Sequence, residues 1–157
     1  MTASQSIHIE RAREADVPAL IELLGELFVI ESDFSADRSK QRRGLELLLS
    51  QPDDRAVVMV ARSADRVVGM ASAQLVISTA EGAPSAWIED VVVQRNLRGQ
   101  GIARLLLREL LAWARQHGAT RAQLLADNAN RPALDFYRHI GWRSTQLSAW
   151  RCSLQDL

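Results

Sequence analysis

One short segment in the middle of the chain restricts the fold more than any other part of the sequence. The apolar residues 91–93 end a run that indicates a buried strand. A turn with two glycines, Gly99 and Gly101, follows, and apolar residues then recur at helical spacing over residues 102–113. Small residues between a strand and a helix let the backbone turn sharply and leave space beside it. The segment therefore predicts a strand–turn–helix unit within a mixed α/β fold.

Strand and helix patterns continue on both sides of this unit. We expect, in chain order, a strand, two helices, three strands, a helix, a strand, a helix and one or two last strands. The expected bounds are 7–9, 16–28, 43–49, 56–61, 67–77, 86–93, 102–117, 121–126, 130–140, 142–144 and 147–153. Polar stretches at 31–39 and 78–85 are expected to be loops. The chain has 157 residues, 47% of them hydrophobic, which suits a single domain spanning residues 1–157.

The charge balance excludes several classes of partner. The 19 basic and 19 acidic residues cancel, so no overall field favours nucleic acid or an anionic membrane. Cys152 is the only cysteine, which excludes a disulfide within the chain, and the three histidines show no metal-ligand spacing. Residues 1–6 lack a signal-peptide pattern, and no apolar run is long enough to cross a bilayer. These features predict a cytoplasmic protein.

The glycine turn also has the properties of an anion site. The first turn of a helix presents N–H groups without partners and the positive end of the helix dipole. Beside small residues these groups suit a diphosphate, to which Arg98 can add a charge-assisted contact. On these residues alone, an ordinary turn that needs glycine for its geometry is an equally good explanation. The third glycine of a dinucleotide fingerprint and the Gly-Lys-Ser/Thr of a P-loop are both missing.

Two sequence elements resemble those of the GNAT superfamily of N-acetyltransferases. The first is the acetyl-CoA signature Gln/Arg-x-x-Gly-x-Gly/Ala after a strand, present here as Arg98, Gly101 and Ala103. The second runs Asn, then Ala, then Phe-Tyr, then Gly-Phe, and occupies residues 130–142 with Trp142 in place of the final Phe. Both stand in the family's order, and the order of expected strands and helices agrees over nearly the whole chain.

The resemblance implies a fold and a cofactor. The fold belongs to the α/β class. Its central mixed, mostly antiparallel sheet of about six to seven strands is flanked by helices, and the parallel strands 4 and 5 are splayed apart. Acetyl-CoA would lie in that gap as the acetyl donor, its pantetheine pairing with the main chain of strand 4, and no metal is implied. The implied cofactor-binding residues are Val91, Val92, Val93, Arg98, Gly99, Gln100, Gly101, Ile102, Ala103, Asn130, Ala133 and Tyr137. A buried strand also explains the valines, and a helix N-cap also explains Asn130.

Acetyl transfer to an amine requires a base for the amine proton and a proton for the departing thiolate. The resemblance implies Tyr137, the only tyrosine, as the group that serves the sulfur, although a core tyrosine is the alternative. Glu89 is the candidate base, and Asp90 or a water molecule stays open in that role. Because adjacent strand residues face opposite ways, we expect only one of the two carboxylates to face the acceptor. A solvated or salt-bridged carboxylate is the alternative for Glu89.

We expect the acceptor site on the first two helices, the loop between them and the long strand. The candidate residues, acidic and aromatic ones among them, are Phe28, Glu31, Asp33, Phe34, Gln74 and Ser78. Acidic side chains beside aromatic ones suit a cationic amine. The predicted activity is direct transfer of an acetyl group from acetyl-CoA to a primary amine of a small molecule or peptide. A non-catalytic acyl-CoA sensor or interaction module is the alternative, and both a monomer and a homodimer stay open.

Overall fold

The structure is a computed structural model that describes residues 6–31, 33 and 35–156. The chain falls into two compact units, Met1–Leu124 and Leu125–Leu157. A sheet with helices on both faces makes up the first unit, and a helix with a C-terminal segment makes up the second. Within the described residues, no helix has the length and apolar character needed to cross a membrane.

A five-stranded sheet in the order β1-β2-β3-β4-β5 lies at the centre of the first unit. The strands are β1 (Ile7–Arg11), β2 (Ala56–Ser63), β3 (Arg66–Ser78), β4 (Ala83–Val93) and β5 (Arg121–Leu124). Neighbouring strands are antiparallel except β4 and β5, which are parallel. The predicted mixed, mostly antiparallel sheet is confirmed. The predicted count of six to seven strands is wrong, because the described residues form five.

Three helices belong to this unit: α1 (Val17–Ile30), α2 (Arg38–Leu49) and α3 (Ile102–Gln116). The apolar spacing in α1 and α3 placed both helices correctly. Helix α2 begins earlier than the predicted residue 43, so the predicted loop at 31–39 is too long. The cause is Asp37, whose carboxylate accepts hydrogen bonds from the N–H groups of Ser39 at 3.0 Å and Lys40 at 3.1 Å. This cap starts the helix within a polar stretch that has no apolar repeat.

The helices cover both faces of the sheet. On one face, α1 and α2 share a buried apolar cluster with three strands, to which Leu20, Leu24, Leu45, Val60, Met70 and Val92 belong. On the other face, α3 approaches the sheet closely at Gly69. A Cβ atom added at Gly69 would lie 3.2 Å from Cδ1 of Leu106 and 3.2 Å from the carbonyl oxygen of Val92. A side chain at position 69 would require Leu106 or the Val92 carbonyl to move by a few tenths of an ångström, so glycine favours the close packing of α3 on the sheet.

Strand β4 has two different halves. It pairs with β5 only from Ser85 to Ile88, whereas its pairing with β3 continues to Val93. Residues 89–93 therefore have an edge that no described strand of this unit pairs with on the β5 side. Pairing ends here because β5 ends at Leu124, and the splaying of strands 4 and 5 stays a prediction.

A bulge lies in the unpaired half of β4. Ser72 pairs with Glu89, but Met70 pairs with Val92, so two residues of β4 lie opposite one residue of β3. Asp90 is one of the two, and its φ of 56° is in the left-handed region that few non-glycine residues adopt. The extra residue changes the regular alternation of side chains along the strand.

The second unit contains helix α4 (Arg131–His139) and a short 3₁₀ turn at Leu154–Asp156. The helix agrees with the prediction for residues 130–140. The predicted hairpin at 142–144 and 147–153 is wrong, because none of these residues is in a strand. Leu147 and Trp150 are 81% and 96% exposed, so the apolar pattern that suggested strands is not buried against a sheet.

Candidate active site

The glycine turn between β4 and α3 leaves open space over its backbone. Gly99 and Gly101 have φ values of 76° and 80°, which residues with a side chain rarely adopt. A Cβ atom added at either glycine would meet no described atom within 4 Å. The predicted turn is therefore both glycine-dependent and accessible to a ligand.

The start of α3 has N–H groups available for an anion. Its N-cap is Gly101, which has no side chain to cap the helix, and the first helical hydrogen bond runs from the Leu105 N–H to the Gly101 carbonyl at 3.1 Å. The N–H groups of Ile102, Ala103 and Arg104 precede that bond and have no acceptor within the helix. Together with the helix dipole they suit a diphosphate, and binding of a diphosphate at this position stays a prediction.

Arg98 is bound to the protein itself. Its Nε donates to the carbonyl oxygen of Val93 at 2.9 Å, and its Nη2 lies 3.5 Å from Oε2 of Glu26. The same Glu26 oxygen accepts a hydrogen bond from the Arg95 N–H at 3.1 Å. Glu26 of α1 thus holds the loop before α3. No local sequence pattern links Glu26 to a loop 69 residues away, so its role could not be predicted.

The unpaired half of β4 leads directly into this loop. The side chains of Val92 and Val93 are buried and that of Val91 is half-buried, so the valines contribute to the core. On the β5 side, this half of the strand presents main-chain groups, which suit an extended ligand that pairs as a strand does. The Val93 carbonyl oxygen already accepts a hydrogen bond from Nε of Arg98, so this atom of the predicted edge is bound within the loop.

A cleft of about 460 Å³ lies between α1, α2, β3 and β4. Its lining residues are Leu24, Phe28, Ser35, Asp37, Lys40, Gln41, Gly44, Leu45, Leu47, Leu48, Gln51, Gln74, Glu89 and Asp90. Phe28 and Gln74 were predicted as acceptor-site residues, and Glu89 and Asp90 as candidate bases. The α2 residues were not predicted, because the first turns of α2 have no apolar repeat. The cleft lies between the first two helices and the long strand, where the acceptor site was expected, and its role as that site stays a prediction.

Other predicted acceptor residues do not line the cleft. The Ser78 hydroxyl accepts hydrogen bonds from Nη2 of Arg121 and from the Glu81 N–H, both at 3.2 Å. Glu31 and Asp33 are also absent from the lining, although the charge of Glu31 acts on Asp90. Phe34 lies outside the described residues.

Glu89 and Asp90 both line the cleft. The expectation that only one of them faces the acceptor is wrong, because the bulge at Asp90 interrupts the alternation. Burial, followed by the charges of Glu89 and Glu31, raises the pKa of Asp90 from 3.8 to about 7, against the opposing effect of the Ser72 hydroxyl. A carboxyl group with such a pKa can accept a proton near neutral pH.

The second unit holds the remaining predicted site residues. Oδ1 of Asn130 accepts a hydrogen bond from the Ala133 N–H at 3.3 Å, so Asn130 caps α4. Tyr137 is half-buried, and its ring centroid lies 5.3 Å from that of Phe136 and 5.8 Å from that of Trp142. The roles of Asn130, Ala133 and Tyr137 toward acetyl-CoA stay predictions.

The sequence has relatives of known activity. It is similar to streptothricin acetyltransferase of Streptomyces lavendulae, 41% identical over 63 residues that cover 37% of this chain and 33% of that protein. It is also similar to N-acetyltransferase family 8 member 2 of Rattus norvegicus, 34% identical over 86 residues that cover 55% of this chain and 38% of that protein. The matches thus span well under half the length of these two relatives.

Solved structures share the fold. An aminoglycoside acetyltransferase from an uncultured soil metagenomic sample matches with a TM-score of 0.75 and 28% identity, over 94% of this chain and 96% of that chain. Residues 17–142 match the sequence model of the acetyltransferase (GNAT) family. The predicted resemblance is confirmed: the chain belongs to the acetyltransferase (GNAT) family, a family of acyltransferase enzymes.

Proposed function

We propose that the protein is an N-acetyltransferase that moves an acetyl group from acetyl-CoA directly to a primary amine of a small molecule or peptide. One observation carries this proposal. The unpaired main-chain edge of β4 at residues 89–93 leads directly into the glycine turn and the uncapped start of α3. A donor with an extended arm and a diphosphate requires these two features in this order. The family match supports the choice of acetyl-CoA.

The donor would be held by the main chain. Acetyl-CoA supplies an acetyl group activated as a thioester. The unpaired edge of β4 within residues 89–93 would pair with the pantetheine, and the N–H groups of Ile102, Ala103 and Arg104 would bind the diphosphate. Arg98 would contribute positive charge next to it while holding the loop through Val93.

The acceptor would bind in the cleft between α1, α2, β3 and β4. Glu89 and Asp90 give this cleft two acidic groups, which attract a protonated amine. Both carboxylates belong to β4, the strand whose edge would hold the donor. An amine bound beside them would therefore lie on the same strand as the thioester.

The amine must lose a proton before or during its attack on the thioester carbonyl. We favour Asp90 as the acceptor of this proton, because its raised pKa matches neutral pH, with Glu89 as the second candidate. The new C–N bond forms as the C–S bond breaks, and the departing sulfur takes up a proton. Tyr137 is our candidate donor of that proton, on the sequence resemblance. No acyl-enzyme is needed, because the amine attacks directly.

The family match extends over residues 17–142 and therefore includes parts of both units. This extent supports residues 1–157 as a single N-acetyltransferase domain.

Thiol release from acetyl-CoA tests the proposal. Purified protein is mixed with acetyl-CoA and each of a panel of amines, including an aminoglycoside, glucosamine, amino acids, alkylamines and short peptides. We expect release of free CoA with at least one amine and an acetylated product by mass spectrometry. Binding of CoA without thiol release from any amine would contradict the proposal and favour a sensor.

A further inference from the structure

Gln41 is the most unusual polar residue of the cleft. It lies in α2, only 7% of its surface is exposed, and it lines the cleft. Among the residues that the structure describes, neither Nε2 nor Oε1 of Gln41 has a hydrogen-bond partner. No other buried side-chain polar atom of the described residues lacks a partner. A glutamine amide has two donor hydrogens and an acceptor oxygen, and here none of them is used.

Such a group normally destabilises a protein. Buried polar atoms are almost always paired, because losing water without gaining a partner is unfavourable. Gln41 shares its face of α2 with the apolar residues Leu45 and Leu48, at the helical spacings i+4 and i+7. A leucine at position 41 would complete this apolar face without an unpaired amide. The glutamine is therefore explained by a partner that arrives with a ligand.

The surroundings of Gln41 leave room for that ligand. Gly44, which follows at i+3 on α2, also lines the cleft. A Cβ atom added at Gly44 would meet no described atom within 4 Å. The helix surface beside Gln41 therefore has a notch through which a group of the ligand can reach the amide.

We propose that Gln41 is an acceptor-binding residue that pairs with a neutral hydroxyl or carboxamide group of the amine substrate; this inference rests on the function proposed above. The enzyme thus prefers amino alcohols and amino amides to plain alkylamines. A neutral group with both a donor and an acceptor matches the amide of Gln41. A second ammonium would be bound by the carboxylates Glu89 and Asp90 instead, and an anionic group by Lys40 of the same lining.

Matched pairs of amines test this assignment. Each amino alcohol from 3-amino-1-propanol to 6-amino-1-hexanol is compared with the alkylamine in which a methyl group replaces the hydroxyl. For the best-fitting length, we expect wild-type kcat/KM to favour the amino alcohol by about tenfold or more. Gln41→Leu should bring this ratio close to one. The same variant should also raise Tm without any ligand, because it removes an unpaired buried amide.

Gln51→Leu is the matched control. Gln51 lines the same cleft but is exposed, and its Nε2 already donates to the Leu47 carbonyl at 3.3 Å. Its replacement should leave the ratio unchanged. A lower Tm for Gln41→Leu with an equal loss of kcat/KM for every amine would show a structural role and overturn the assignment.

Two further outcomes separate this inference from the proposed function. Acetylation of amino alcohols and alkylamines with no preference in the wild type, or with a preference that Gln41→Leu retains, would overturn the role of Gln41 alone. A wild-type protein that releases no thiol with any amine would overturn the proposed function and the acceptor role of Gln41 with it.

Discussion

Replacing Asp90 by asparagine should stabilise the protein at neutral pH and slow it as an enzyme. The pKa of Asp90 is raised from 3.8 to about 7, mainly by burial. One pKa unit corresponds to about 1.4 kcal/mol, so the ionised carboxylate disfavours the folded chain by up to about 4 kcal/mol above pH 7. Asparagine has no charge and tolerates the left-handed φ of 56° at this position. The substitution therefore removes the charge without adding backbone strain.

The direction of the pH dependence follows from the raised pKa. Asp90 favours the folded state most below pH 3.8, where it is protonated in both states, and this advantage is lost as the pH rises to about 7. Asparagine does not titrate. The free energy of unfolding of Asp90→Asn should therefore exceed that of the wild type by a margin that grows by about 2.5 kcal/mol between pH 5 and pH 8.

Urea denaturation of both proteins at pH 5 and pH 8 measures this margin, with Asp65→Asn as the control. Asp65 is an exposed turn residue, so its replacement should change the free energy of unfolding by less than about 0.5 kcal/mol at either pH. A margin that is equal at pH 5 and pH 8 would refute the assignment of a raised pKa to Asp90.

The same variant tests catalysis. If Asp90 takes the amine proton, Asp90→Asn should lower kcat/KM by about a hundredfold at pH 8, and the wild-type rate should rise with pH through about 7. A more stable variant with an unchanged rate would remove Asp90 from the reaction and leave Glu89 as the candidate base.

Four substitutions at three other positions test the proposed donor site and the proposed proton donor. Gly101→Glu should abolish CoA binding measured by calorimetry, because it places a negative side chain at a φ of 80° beside the diphosphate site; binding at wild-type strength would place CoA elsewhere. Glu26→Ala should weaken CoA binding by about fivefold, because the Arg95 N–H loses its acceptor, and Glu26→Gln should restore most of the affinity. Equal affinities for both Glu26 variants would argue against a positioning role. Tyr137→Phe should lower kcat by about tenfold or more with little change in CoA affinity, and an unchanged kcat would exclude Tyr137 as the proton donor.

Most of the fold could be predicted because its signals are local. Helical spacing in α1 and α3 and apolar runs in β2, β3 and β4 depend only on neighbouring residues. The start of α2 was missed because the cap at Asp37 stands in a polar stretch. The C-terminal hairpin was wrong because residues such as Trp150 have strand propensity, but a strand also requires a partner, which local sequence cannot supply.

The candidate site also has parts with a local sequence signal and parts without one. Glycines with positive φ and the strand before them form a local pattern, and the structure has both at Gly99 and Gly101. The hydrogen bond from Arg95 to Glu26 joins distant parts of the chain and has no local signal. Gln41 resembles a surface residue within its polar helix turn. Its spacing to Leu45 was the one available indication that it faces inward.

The bulge in β4 has a consequence for how this strand can change in evolution. Glu89 pairs with Ser72 and Val92 pairs with Met70, so the ladder is regular on both sides of the extra residue. Deletion of Asp90 alone would leave one residue of β4 opposite one residue of β3 and keep the register of every other pair. Deletion of Val91 would restore the same register but keep the Asp90 carboxylate, whereas a deletion outside the bulge would shift the pairing of the residues beyond it. Loss of the codon for residue 90 is thus the change that could remove this carboxylate while sparing the sheet.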